Sequence, residues 1–261
     1  MPLEGRGRLK RPNAMTQARS PQTLARTLLI DADDTLWEGS IYYLECSHRF
    51  RVYMATFGCD PDEALRELRA AELEAVPDFG YGPPGFCHGL EVACQRLLTR
   101  ISRPAGPDEL AAARAFGEPM LEAPMVLLPD VRPTLQALRP SSWLLLLTKG
   151  SPTVQRGKIE RSALAPLFDT IRIEQEKDAA VYHRLMDEFG LDPENSWMIG
   201  NSPRSDINAA NAAGLRAIHI PHAATWMGEP EEIQQPARVA TLHRFADLPA
   251  FFGVTSQAGK Q

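Results

Sequence analysis

The chain of 261 residues carries a formal net charge of −5, with 44% hydrophobic and 23% charged side chains. This is ordinary globular composition, enough for one large domain or a core with a smaller companion. The acidic balance leaves no overall nucleic-acid footprint, and the longest strongly apolar run, 143–147, is far too short to cross a bilayer.

Basic residues gather near the start, where Arg6, Arg8, Lys10, Arg11, Arg19 and Arg26 face only Glu4. With Pro2, Pro12 and Pro21 interspersed and no apolar periodicity, residues 1–24 read as a flexible tail. It reads as sequence ahead of a natural start at Met15 rather than as an arm for nucleic acid. It has no apolar h-region, so no secretory signal is expected. Cys46, Cys59, Cys87 and Cys94 show no C-x-x-C spacing and read as packed thiols. A reduced, cytoplasmic setting fits them.

The apolar run 27–30 predicts a short buried strand. It stops at Asp31, Asp33 and Asp34, three carboxylates in four residues. Like charges this close repel and raise one another's pKa, so a cation or a retained proton is needed there. A nucleophilic carboxylate, a proton-carrying carboxyl and a divalent cation together describe a phosphoryl-transfer site. An acidic turn capping a helix would look similar.

From residue 39 to 126 the texture is helical, with four helices and no strand. Asp60-Pro61 is an N-cap followed by proline at the first helical position, opening a helix over 61–75. Residues 77–89 are dense in glycine and proline and read as a turn-rich loop carrying Phe79, Tyr81, Phe86 and His88. That loop is either a specificity loop over the site or a plain connection with its aromatics packed. Helices are expected again near 86–101 and 107–122. Beyond 126 the texture changes. Helices near 130–139, 152–163, 178–190 and 204–213 alternate with strands near 143–147, 170–173, 196–199, 217–220 and 239–242. Such alternation implies a parallel sheet with right-handed crossovers and ligands at the carboxyl ends of its strands. Asp31, Thr148 and Asn201 all fall at such ends.

Four motifs in this order resemble the haloacid dehalogenase superfamily. Asp31-Ala32-Asp33-Asp34-Thr35 resembles its first motif, D-x-D-x-T. Thr148 stands where the second has a hydroxyl after a hydrophobic strand. Lys177 resembles the third, at a helix start, and Gly200-Asn201-Ser202-Pro203-Arg204-Ser205-Asp206 resembles the fourth. The resemblance spans about residues 26–250. It implies an α/β fold: a Rossmann-like parallel sheet core, 25–38 and 127–261, with an all-helical cap, 39–126, inserted after the first strand. It also implies Asp31 as nucleophile, Asp33 as acid and base and holder of the proton, and Thr148, Lys149 and Lys177 on the phosphate. Tyr81 and His88 would bind the leaving group from the cap. Mg²⁺ would take oxygens from Asp31, the Asp33 carbonyl, Asp206 and Asn201. Lys158 competes with Lys177, which has the family's placement.

The implied activity is Mg²⁺-dependent hydrolysis of a small phosphate ester through an aspartyl-phosphate. Neither nucleic acid nor membrane is implied as a partner, and no oligomeric state. The chain departs from the pattern twice. Asn201 replaces an acid, keeping an oxygen but no charge, and Asp34 stands where glycine is common, so its charge should point away from the phosphate. A dehalogenase would leave Asp33 idle, a phosphomutase would keep it, and Asn201 alone suggests a catalytically weak binding module.

Overall fold

The computed structural model describes residues 19–121, 123–225, 229 and 231–254. Its strands are β1 (Arg26–Ile30), β2 (Ser142–Lys149), β3 (Thr170–Glu174), β4 (Ser196–Gly200), β5 (Arg216–His219) and β6 (Val239–Thr241). They form one sheet in the order β3-β2-β1-β4-β5-β6, with every pairing parallel. The helices that position the site are α1 (Ser40–Ala55), α2 (Pro61–Phe79), α3 (Pro83–Arg100), α4 (Pro107–Ala115), α5 (Val131–Leu138), α6 (Pro152–Ser162), α7 (Ala179–Phe189) and α8 (Ala209–Ala212).

The central strands are apolar on both sides because helices cover both faces. Leu28, Ile30, Leu144 and Leu146 point to one face and pack with Val131, Leu135 and Leu138 of α5. Leu29, Leu145 and Leu147 point to the other and pack with Tyr182 and Leu185 of α7 and Ala210 of α8. The architecture is therefore α/β, a Rossmann-like parallel sheet between two helical layers. After β1 the chain winds outward through β2 and β3, then returns to β4 on the other side of β1. This switch point lies at the carboxyl ends of β1 and β4, where ligands bind in open parallel sheets.

The stretch between β1 and β2 builds a separate apolar cluster. Phe50 and Met54 of α1, Leu68 and Ala71 of α2, and Phe86, Leu90 and Leu97 of α3 form it. Gly89 lets α2 and α3 cross closely, since a Cβ there would stand 3.1 Å from the Glu72 nitrogen. The two strands of chain joining this insert to the sheet run side by side. Glu38 N–H donates to the Val126 carbonyl at 2.9 Å and Leu128 N–H to the Leu36 carbonyl at 3.0 Å.

Several expectations need correcting. The turn-rich loop over 77–89 is only 80–82. Pro77 sits inside α2, and Pro83 opens α3, because proline suits a first helical turn where its missing N–H costs nothing. Gly80 and Gly82, at φ 69° and 122°, make the reversal. The helix expected over 107–122 stops at Ala115 and gives way to a short 3-10 turn, Glu118–Leu121. The helix expected over 204–213 begins as a π-helical turn, Pro203–Asn208, in which Ile207 N–H reaches the Ser202 carbonyl. The tail expected to reach residue 24 ends earlier: Arg19 pairs with Asp169 at 3.3 Å, and Gln22 donates to the Phe189 carbonyl at 2.6 Å. Residues 1–18 lie outside the described residues. All four cysteines are free and buried, and no described helix is long and apolar enough to cross a membrane.

Candidate active site

Asp31 directly follows β1, and its N–H continues the ladder to the Ile199 carbonyl of β4 at 2.9 Å. Thr148 lies near the end of β2, Asn201 just after β4, and Lys177 just ahead of α7. Asp206 is carried inward by the π-helical turn, a local overwinding common at functional positions. All five are buried and line one cavity of about 880 Å³, counted to its mouth, between the sheet edge and the insert.

Lys177 is the centre of charge. Its Nζ lies 2.6 Å from Asp31 Oδ1 and also donates to Asp206 Oδ1. Burial disfavours its charge, but the two carboxylates outweigh that and hold its pKa well above the ordinary lysine value. Burial and then Asp206 push Asp31 up to about 7 against the pull of Lys177. Thr35 donates its hydroxyl to Asp31 Oδ2 at 3.1 Å. Lys177, not Lys158, therefore holds the position beside Asp31.

Lys158 has a different place. Its Nζ lies 2.8 Å from each carboxylate oxygen of Asp33. Gln155 donates to Asp33 Oδ2 at 3.0 Å, and Trp37 Nε1 donates to Oδ1 at 2.7 Å. Burial would raise the Asp33 pKa, but Lys158 and these donors bring it below the ordinary aspartate value. These directions run against the expected assignment, in which Asp33 holds the proton beside an ionised Asp31. The reason is a cation on α6 that the local sequence around Asp33 does not contain.

Lys149 lines the cavity, but its ammonium is engaged by Glu176 Oε1 at 3.1 Å and by Glu229. Burial would raise the Glu229 pKa, yet Lys149 and the Ser202 and Ser205 donors lower it to about 2. Tyr81, between α2 and α3, closes this group from above. Its hydroxyl donates to Glu176 Oε2 at 2.6 Å and lies 3.3 Å from Arg204 Nη2. Its ring lies 4.2 Å from the Lys149 ammonium. Tyr81 is thus brought to the site. His88 is not: it stacks on Phe79 with ring centroids 4.5 Å apart, 4.0 Å from Glu91, and does not line the cavity. Phe86 lines the cavity from within the insert's own core.

Asp34 is turned onto the start of α1. It accepts from the Gly39 and Ser40 N–H groups at 2.9 Å each, and from the Ser40 hydroxyl. It also comes within 4.8 Å of Glu38 and His222 ligand atoms. His222 lies 3.7 Å from Asp34 and 3.3 Å from Glu38, so the trio joins the linker to the loop after β5 and contains none of the residues expected at the metal centre.

That centre would be at Asp31 and Asp206. Both offer carboxylate oxygens, and Asn201 adds an amide oxygen 3.4 Å from the Thr35 hydroxyl. Hard oxygen donors with excess negative charge suit a small divalent cation. Gly200 makes the cradle possible: a Cβ there would stand 2.2 Å from Asp206 Oδ2. The residues present fit Mg²⁺.

A buried carboxylate bonded to a buried lysine, with a second acid beside them at the switch point of a parallel sheet, is an arrangement suited to phosphoryl- or acyl-type transfer or hydrolysis. Residues 25–214 match the haloacid dehalogenase-like hydrolase family, and the chain belongs to that family. It is 27% identical over 203 residues to a glyceraldehyde 3-phosphate phosphatase of Methanopyrus kandleri, covering 76% of this chain and 84% of that protein. It is 31% identical over 208 residues to a ribulose-1,5-bisphosphate 5-phosphatase of Halopiger xanaduensis, covering 75% and 84%. A haloacid dehalogenase-like family hydrolase of Xanthomonas campestris has a similar solved structure, at TM-score 0.75 and 28% identity over 92% of this chain and 96% of that one.

Proposed function

We propose that the chain is a phosphatase, hydrolysing small phosphate monoesters at Asp31 with the help of Mg²⁺. The observation that carries this is Lys177, buried and bonded at once to Asp31 and Asp206. An ammonium so placed neutralises the nucleophile and an equatorial phosphoryl oxygen together. The relatives named as phosphatases support the same reading.

In the first half of the reaction an Asp31 oxygen bonds to phosphorus as the bond to the leaving oxygen breaks, giving an aspartyl-phosphate. Asp33 passes a proton to the leaving oxygen. A substrate bound as its monoanion brings that proton to Asp33, whose carboxylate is paired with Lys158 before substrate arrives. In the second half Asp33 takes a proton from water, whose oxygen bonds to phosphorus as the bond to the Asp31 oxygen breaks, and that proton leaves with the product phosphate. Thr148 donates its hydroxyl to a phosphoryl oxygen. Mg²⁺, held by Asp31, Asp206, the Asp33 carbonyl and Asn201, would supply Lewis-acid charge to the phosphoryl oxygens. The helical insert acts as a cap that closes over the substrate and excludes water, hinged at the paired linkers beside Glu38 and Val126. Four buried free thiols fit a reduced, cytoplasmic setting.

The test is p-nitrophenyl phosphate hydrolysis with Mg²⁺ and with a chelator, followed by a panel of metabolite phosphates. Mg²⁺-dependent turnover is expected. Turnover that ignores the chelator would overturn the metal's part, and no turnover of any ester would overturn the reading.

A further inference from the structure

We infer that the Tyr43 hydroxyl, on the first helix of the insert, recognises an uncharged oxygen of the leaving group close to the scissile bond, and so favours esters of polyols over esters of plain alkyl chains. This rests on the phosphatase reading and names a specificity-determining residue for the same site.

Tyr43 is half-buried and lines the cavity from α1. That helix starts at Ser40 with Gly39 ahead of it, and Tyr43 lies about one turn beyond Gly39. Gly39 packs directly on Asp33, since a Cβ there would stand 3.2 Å from the Asp33 Cβ. The start of α1 thereby carries Tyr43 to the side of the cavity that serves the leaving oxygen. Its ring meets Phe86 edge to face, with centroids 5.1 Å and planes 81° apart, which fixes the phenol in the wall. The other hydroxyls lining the cavity are committed. Ser40 donates to Asp34, Tyr81 to Glu176, Ser202 to Glu229, Ser205 to Ser202, and Thr225 to the His222 carbonyl. Thr148 serves the phosphoryl group. The Tyr43 hydroxyl, by contrast, has no hydrogen-bond partner among the described residues. A phenol left so in a cavity wall is satisfied by whatever fills the cavity. Burial first, then Asp33 and Glu72, raise its pKa well above the ordinary tyrosine value, so it keeps its proton and acts as a donor. Asp33 and Glu72 both line the cavity, which sets the oxygen they act on at the cavity side of the ring. Val76 and Phe86, on the same wall, offer a carbon chain apolar contact only. A hydroxyl or carbonyl oxygen near the ester accepts from Tyr43, whereas a plain alkyl chain displaces water and leaves the phenol unpaired.

Glycerol 3-phosphate and n-propyl phosphate form a matched pair, alike in chain length and differing only in hydroxyls. Wild-type kcat/KM should favour glycerol 3-phosphate by about fivefold or more, the worth of one hydrogen bond made rather than left unmade. Tyr43→Phe keeps the ring against Phe86 and should narrow that ratio by about fivefold, whereas a purely structural Tyr43 would lower both rates alike. With p-nitrophenyl phosphate hydrolysed by the same preparation, equal or better use of n-propyl phosphate, or no use of glycerol 3-phosphate, overturns the inference while leaving the phosphatase reading intact. A ratio untouched by Tyr43→Phe overturns the role of Tyr43. No hydrolysis of p-nitrophenyl phosphate overturns the phosphatase reading itself.

Discussion

Tyr81→Phe isolates the link between the helical insert and the catalytic edge. The substitution removes the hydroxyl that donates to Glu176 at 2.6 Å but keeps the ring 4.2 Å from the Lys149 ammonium. Glu176 immediately precedes Lys177, so the bond ties the insert to the segment carrying the lysine at Asp31. The phenol's pKa, pushed up to about 12 by burial and then by Glu176, agrees with a donated proton held by a carboxylate. A hydrogen bond to a charged group contributes about 1.5–3 kcal/mol when its loss leaves the charge unpaired. Here Glu176 retains Lys149 at 3.1 Å, Arg204 at 3.2 Å and the Lys177 N–H at 2.9 Å. Its side chain is also 36% exposed. The net loss is therefore about 1 kcal/mol after solvent screening, or about fivefold in the ratio of closed to open insert. Steady-state kinetics on p-nitrophenyl phosphate should show KM raised by about that factor, with the melting temperature little changed. Tyr81→Ala, which also removes the ring from Lys149, should cost more. An unchanged KM with a lowered melting temperature would refute the reasoning and leave Tyr81 as a packing residue.

Asp33→Asn removes the proton carrier and should lower kcat by about 10²–10⁴-fold, read by steady-state phosphate release. Asn201→Asp should tighten Mg²⁺ and could weaken phosphate in return; a Mg²⁺ titration with an unchanged half-saturating concentration would show that residue 201 is not at the metal. Gly200→Ala should cost about 1–3 kcal/mol of stability by overpacking and displace Asp206, so thermal melting and Mg²⁺ affinity should both fall.

The residues legible in the sequence are those set by strand and helix ends. Asp31 and Thr148 follow apolar runs that can only be buried strands, and Lys177 and Asp206 stand at the starts of amphipathic stretches. Local pattern therefore suffices to place them. The partners of Asp33 are not legible in the same way. Gln155 and Lys158 lie more than a hundred residues away on α6, and although Lys158 stands out as a rival to Lys177, only the tertiary fold brings it to Asp33 instead. Trp37 is local, and its spacing of four from Asp33 was an available signal, but an indole there reads as core. Glu176, Arg204 and Glu229 look like surface charges because each one's meaning lies in the others. The stretch around Pro83-Pro84 misleads for another reason: prolines that break a helix interior are welcome in its first turn, and composition alone does not separate the two positions.

The most direct test of the central claim is the covalent intermediate. Asp33→Asn should slow the water-driven half of the reaction, so that acid-quenched protein carries the mass of one phosphoryl group, mapped to Asp31. Asp31→Asn should carry none and turn over no ester. Phosphate found on another residue, or hydrolysis by Asp31→Asn near the wild-type rate, would contradict the account.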